Sequence, residues 1–193
     1  MKWLGMLVAA LVVCLLFAGC YEKEKDASEF GGTGVVRDWT NPDAPKSITS
    51  KEINLFEYEF NCDFFRYYGR MNQYDYCSFS LVRQQEGALC TGWGYGEGDA
   101  AFEFEFVAPL SSLDALQALV FEYDLAKANG TDVTVEGIPE HMGSRLSVEY
   151  ASGESIYAYD NRSGVMGGTA SLALFDLFLG LAGDAGDDFL SGI

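Results

Sequence analysis

A single histidine, His141, is all the imidazole in this 193-residue chain, so metal centres and acid–base pairs that lean on histidine have little to build on. Basic side chains are scarce too. Twelve Lys and Arg stand against 29 Asp and Glu, a formal net charge of −17, and there is no basic run or stripe to grip phosphates. That excludes nucleic acid and anionic lipid as partners and leaves cationic ones open. No GxSxG, Walker loop, HExxH or CxxC is present; Ser155 follows Gly153 and Glu154, but Tyr157 stands where a nucleophile elbow needs its second glycine. The final acids Asp184, Asp187 and Asp188 miss the spacing of a calcium loop. No catalytic residue, metal ligand or cofactor is therefore nominated.

What the chain does have is apolar mass: 49% of residues are hydrophobic and 15% aromatic, too many for a disordered acidic chain and enough for one domain with a core. The run begins at once. Lys2 supplies a positive start, residues 3–17 are apolar apart from Gly5, and the small residues Ala18 and Gly19 precede Cys20, which is the layout of a secretory leader. A bilayer span needs about 20 apolar residues, so this run is short for one. The ending Leu16-Phe17-Ala18-Gly19-Cys20 resembles the lipobox of bacterial lipoproteins, with leucine one place earlier than the family usually has it. The resemblance implies that residues 1–19 are removed and that Cys20 receives diacylglycerol on its sulfur. It also implies a protein anchored to the cell membrane on the extracytoplasmic face. An ordinary cleaved leader is the plain alternative. Loss of the leader removes Lys2 and no acid, leaving 11 basic and 29 acidic residues.

Of five cysteines, Cys14 would leave with the leader and Cys20 would carry lipid, so Cys62, Cys77 and Cys90 remain in an oxidising space. Residues 20–47 mix charges, a Gly-Gly-Thr-Gly break and two prolines, and read as a flexible acidic tether averaging about 30 Å from end to end. Val35, Val36 and Trp39 could instead pack back as a short edge segment. The string from Pro45 to Ile53, with the Phe-rich stretch after it, is similar to the start of lipoproteins of unknown function, which implies no residue roles.

From residue 48 the pattern turns to period two. Phe56, Tyr58, Phe60, Cys62 and Phe64 share one strand face, and Cys77, Phe79 and Leu81 share another. A hairpin turning at Gly69-Arg70 would set Cys62 opposite Cys77, the favoured disulfide; two buried free thiols are the alternative. Phe102, Phe104 and Phe106 alternate with Glu103 and Glu105 in a further strand. Ser111 and Asp114 have capping-box spacing, so a helix is expected over 112–129, with Phe121 and Leu125 on its far side needing cover from an apolar helix over 171–181. Leu146 to Tyr159 reads as a hairpin turning on Ser152-Gly153, with Val148 facing Tyr157 and Leu146 facing Tyr159.

Between Gly92 and Gly98 every second residue is glycine, leaving Trp93, Tyr95 and Glu97 on one face. These three are the candidate ligand contacts, stacking on a sugar or peptide; the plainer reading is a glycine-rich turn whose aromatics finish the core. The outward acids Glu57, Glu59, Glu103, Glu105 and Glu149 would make an acidic sheet face if their strands are neighbours.

The expectation is an α+β protein. A largely antiparallel, curved sheet carries one helix packed on it and a short C-terminal apolar helix, in a single domain over 48–183 with an acidic tail at 184–193. Its expected role is a non-catalytic, lipid-anchored binding or envelope-interaction domain for a cationic peptide or an envelope protein. The alternatives are a purely structural accessory protein, or a hydrolase using acids near 93–99 or 150–161; a cleft joining those two loops would favour a ligand site, and a flat acidic face a protein partner or none.

Overall fold

Strict alternation of aromatic and acidic residues produces the strands. In Ile53–Asn61, Phe56, Tyr58 and Phe60 are buried while Glu57 and Glu59 turn to the other side. The computed structural model describes residues 34–66, 73–98 and 100–184; the leader, Cys20, the first part of the tether, the Gly69-Arg70 turn and the acids beyond 184 lie outside them. In chain order the elements are β1 (Val36–Asp38), β2 (Ile53–Asn61), α1 (Asp63–Arg66), β3 (Tyr76–Arg83), β4 (Ala88–Tyr95), β5 (Ala101–Ala108) and α2 (Ser111–Glu122). Then come β6 (Asp132–Val135), β7 (Ser144–Tyr150), β8 (Ser155–Asp160) and α3 (Gly168–Asp184).

All eight strands join one sheet in the order β1-β6-β8-β7-β2-β3-β4-β5, antiparallel except for the short β6–β8 pair. Both longer helices lie on the same face, giving the α+β class. Leu113, Leu116 and Val120 of α2 and Leu174, Phe175 and Phe178 of α3 close over Phe56, Tyr58, Phe60, Leu81, Leu146, Val148 and Ile156. Phe79 sits at the centre, its ring 5.1 Å from that of Phe178, 5.8 Å from Phe60, 5.9 Å from Phe175 and 6.1 Å from Phe104. Each such ring contributes about 2–3 kcal/mol by leaving water.

Glycine on β4 makes that packing possible. A Cβ at Gly92 would lie 2.9 Å from the Phe79 ring and overlap Phe104, and one at Gly94 would lie 2.7 Å from the Cys77 sulfur. The stretch is therefore strand as far as Tyr95 and turns only from Gly96 onward. Its bare face is filled by phenylalanines from β3 and β5, and its aromatics point away from the core.

Several local expectations are corrected. Phe60, not Cys62, pairs with Cys77, because β2 ends at Asn61 and the chain turns into α1, which also takes Phe64 off the strand face. Helix α2 stops at Glu122: Asp124 adopts a left-handed conformation (φ 51°), and a 3₁₀ turn over Leu125–Ala128 follows. That break buries Leu125 and leaves Phe121 75% exposed, so α3 covers the sheet and not Phe121. No side chain caps α2, so the Ser111–Asp114 capping box does not form. In the β7–β8 hairpin Val148 pairs with Ile156 and Leu146 with Ala158, one residue off the expected register, because four residues turn the chain and Gly153 takes φ +86°. A one-residue slip exchanges faces. Tyr157 and Tyr159 thus leave the Val148 side for the opposite one. Finally, the chain from Val36 onward is not free tether: β1 pairs with β6, and Ala44 is buried.

Candidate functional site

Among the described residues no α-helix covers the face opposite α2 and α3, and the 3₁₀ turn Glu140–Met142 lies against it at one end. Strand registers align its side chains in rows. One row runs Asp132, Tyr159, Arg145, Glu59, Ser78, Trp93, Glu103; the next runs Tyr157, Ser147, Glu57, Ser80, Thr91, Glu105. Of the acidic strands only β2 and β7 are neighbours; β3 and β4 stand between β2 and β5, so the acids share one face but are not contiguous on it. Glu103, Glu105 and Glu149 are exposed, and Glu57 and Glu59 are half-buried between them.

Two of the three candidate contacts meet. Trp93 and Tyr95, two apart on β4, lie nearly parallel (8°) with ring centres 6.2 Å apart, and they are 39% and 41% exposed. Tyr76 on β3 stands beside both, at 5.9 Å and 6.0 Å. His141 presents its edge to Tyr76 and Tyr95 at 6.4 Å and 6.5 Å. Glu97 is exposed in the turn beyond the strand end and belongs to the rim of this patch rather than to its stack. The alternation of β4 signalled Trp93 and Tyr95. Tyr76 and His141 were missed, since only strand register and the Glu140–Met142 turn bring them there.

Next to the rings lies a charged triplet. The Tyr76 hydroxyl donates to Glu59 Oε2 (3.1 Å), and Arg145 Nη1 donates to the same oxygen (3.2 Å) with its guanidinium over the Tyr159 ring at 5.3 Å. Burial, and then the Glu59 charge, push the Tyr76 hydroxyl well above its ordinary pKa, so it remains a neutral donor. Burial works against the Arg145 charge, but Glu59 and the surrounding tyrosines outweigh it and raise its pKa. Glu57, without such a partner, has its carboxyl raised by burial and then by Glu59. In the next row, between Glu57 and Glu105, Ser80 Oγ and Thr91 Oγ1 share a hydrogen bond of 2.7 Å. Rings, hydroxyls and carboxylates on a broad face suit binding.

Of the acids proposed for hydrolysis, the two described near 150–161 are otherwise engaged, while Glu97 is exposed and Asp99 lies outside the described residues. Glu154 accepts from the Thr49 and Ser50 amides (3.0 and 2.9 Å) and from the Ser152 hydroxyl (3.0 Å); the amide bonds hold its pKa low. Asp160 is bonded by Arg162 and Ser163, and buried Asn161 serves the backbone of Val135 and Ile138. The 151–154 turn lies beyond Tyr150, which pairs with the start of β2, whereas Tyr95 lies across β3 from its end, about 25 Å away. No cleft joins the two loops.

Cys62 and Cys77 are buried with sulfurs 3.1 Å apart, the contact of neighbouring thiols, where a bond would need about 2.05 Å. Burial, then Cys62, raise the Cys77 thiol, and burial pushes Cys90 up to about 12. Thiols so placed are poor nucleophiles. Among the described residues no three His, Cys, Asp or Glu side chains are grouped to hold a metal ion, and no helix is long and apolar enough to cross a membrane. Compared with known families, with curated proteins and with solved structures, the chain matches none.

Proposed function

We propose that this chain is a lipid-anchored, extracytoplasmic binding domain whose open sheet face receives a cationic segment of an envelope protein. The observation that supports it most is the stacked, solvent-exposed Trp93–Tyr95 pair on a face that the helices leave uncovered. Exposed rings beside unpaired carboxylates attract Lys and Arg side chains through charge and cation–π contact together. Glu57, Glu103, Glu105 and Glu149 supply the charge, while Arg145 is already paired with Glu59. The leader ending in Cys20 supports the anchor.

The test uses the full chain in micelles of an uncharged polyoxyethylene detergent, titrated with a short Lys/Arg-rich peptide. Binding should weaken roughly tenfold in Trp93→Ala and fall with added salt. Salt-independent binding, or binding indifferent to Trp93, overturns the site. For the anchor, Cys20→Ser should release the protein from the membrane fraction; a variant that stays there refutes it.

A further inference from the structure

At the far edge of the sheet the chain builds a second feature, a cleft of about 500 Å³ between the segment that follows β1, the loop before β6 and the β7–β8 hairpin. Its floor is Asn129, 7% exposed and fully bonded: Nδ2 donates to the Pro45 and Ser155 carbonyls (2.9 and 3.1 Å), and Oδ1 accepts from the Tyr157 amide (2.9 Å). Gly130 (φ +83°) lets the strap lie directly on the loop, since a Cβ there would come within 2.6 Å of the Asn41 carbonyl oxygen. The Trp39 amide is bonded to the Asp132 carbonyl at 2.8 Å, which extends the β1 register by one residue and puts Trp39 beside Asp132. A narrow, prearranged cleft loses little entropy when it is filled.

The lining has a consistent chemistry. Trp39 is 58% exposed and Tyr157 42%, two π faces left to solvent at one site. Asp43, Asp132 and Glu154 place three carboxylates around them, and neither Asp43 nor Asp132 is in an ion pair among the described residues. Glu154 braces the wall through its bonds to Thr49 and Ser50 while still adding its charge. No Lys, Arg or His is among the residues that line the cleft, and the neighbouring Lys46 has its Nζ tied to the Asn129 carbonyl oxygen. Aromatic faces flanked by uncompensated carboxylates form the environment that stabilises an organic ammonium ion. A neutral sugar could stack on the rings and donate its hydroxyls to the carboxylates, but it would leave their negative charge uncompensated.

From this lining we infer that the Trp39–Tyr157 cleft is a binding site for an organic ammonium group. It stands apart from the Trp93 patch. Six strand spacings separate Trp39 from Trp93, about 29 Å, so neither site depends on the other being occupied.

Titration calorimetry on the full chain in the same uncharged micelles tests it with choline, with its neutral isostere 3,3-dimethyl-1-butanol and with cellobiose. Choline should bind roughly tenfold more tightly than the isostere, and Trp39→Ala and Asp132→Asn should each weaken it several-fold. Phe121→Ala, on exposed helix surface elsewhere, should leave it unchanged. Trp39 is exposed enough that its removal spares the fold, and Tyr157→Ala provides a second variant on the opposite wall. Equal affinity for choline and the isostere, no saturable heat with choline, or choline binding that survives both aromatic substitutions overturns the proposal. Cellobiose bound through Trp39 in place of choline would assign the cleft to a glycan and overturn it as well. The Lys/Arg-rich peptide titration on the same samples reads the open face separately, so loss of one site leaves the other testable.

Discussion

On the helix-covered face, Phe79 lies among the rings of Phe60, Phe104, Phe175 and Phe178 and is 1% exposed; on the open face Trp93, a residue of the next strand, stacks with Tyr95 and keeps 39% of its surface in water. Both clusters are aromatic and built on adjacent strands, yet one is closed by two helices and the other by none. Strand β4 serves both at once. Gly92 and Gly94 yield their side of the sheet to rings from β3 and β5, and Trp93 and Tyr95 carry their own rings to the other. Aromatic content therefore says little about role until the face is known: inside, rings hold the fold together; outside, they are surface for something else.

Substitutions on the two faces should separate these roles. Phe79→Ala should have the largest effect, about 3–5 kcal/mol lost in a denaturant titration, because it empties the centre of the inner cluster. A loss below about 1 kcal/mol would mean that the inner face is not packed as described. Gly94→Ala forces a methyl toward Phe102 and the Cys77 sulfur, and should cost about 1–3 kcal/mol while leaving Trp93 in place. Wild-type stability there would break the link between the two faces of β4.

Glu57→Gln should instead stabilise slightly. Burial and Glu59 raise the Glu57 carboxyl, so the folded state holds its proton more tightly than the unfolded chain. The penalty for its charge is felt above its folded pKa and disappears as pH falls below the unfolded value. The gain should be a few tenths of a kcal/mol at neutral pH, fading as the pH falls through the raised folded pKa and gone by about pH 4 in paired thermal melts. A gain that persisted in acid would point away from the carboxyl charge. Trp93→Ala should move stability least, by about 0.5 kcal/mol or less, whatever it does to peptide binding. A larger drop would make the exposed stack part of the core after all.

The alternation of Phe56, Tyr58 and Phe60 with Glu57 and Glu59, and of Phe102 and Phe104 with Glu103 and Glu105, was enough to read the strands and the α+β class, because a period of two is written directly into burial. Register was not so legible. It depends on the number of residues in each turn, and there α1 displaced the partner of Cys77 while the left-handed Gly153 shifted the β7–β8 hairpin by one. That shift matters for the candidate sites. With Val148 facing Tyr157, as the sequence pattern alone favours, both tyrosines would lie inside, and neither the Arg145–Tyr159 contact nor the cleft wall at Tyr157 would exist. The cleft itself was not visible, since its parts come from residues 39–45, 129–132 and 153–157, and no local pattern links them.

The strap that closes the cleft has a kinetic meaning as well as a geometric one. Strand β1 is three residues long, exposed throughout and at the sheet edge, and the ion pair of Arg37 with Glu136 joins positions 99 apart in the chain. Contacts so distant in the chain are slow to close, and at a sheet edge they are the first to open. Opening of the strap would release residues 34–47, a reach of up to about 45 Å. A ligand in the cleft binds only the lowered strap and holds it down in proportion to its concentration over its dissociation constant. If the chain is held at Cys20, as proposed, occupancy of the cleft would set the length of the leash.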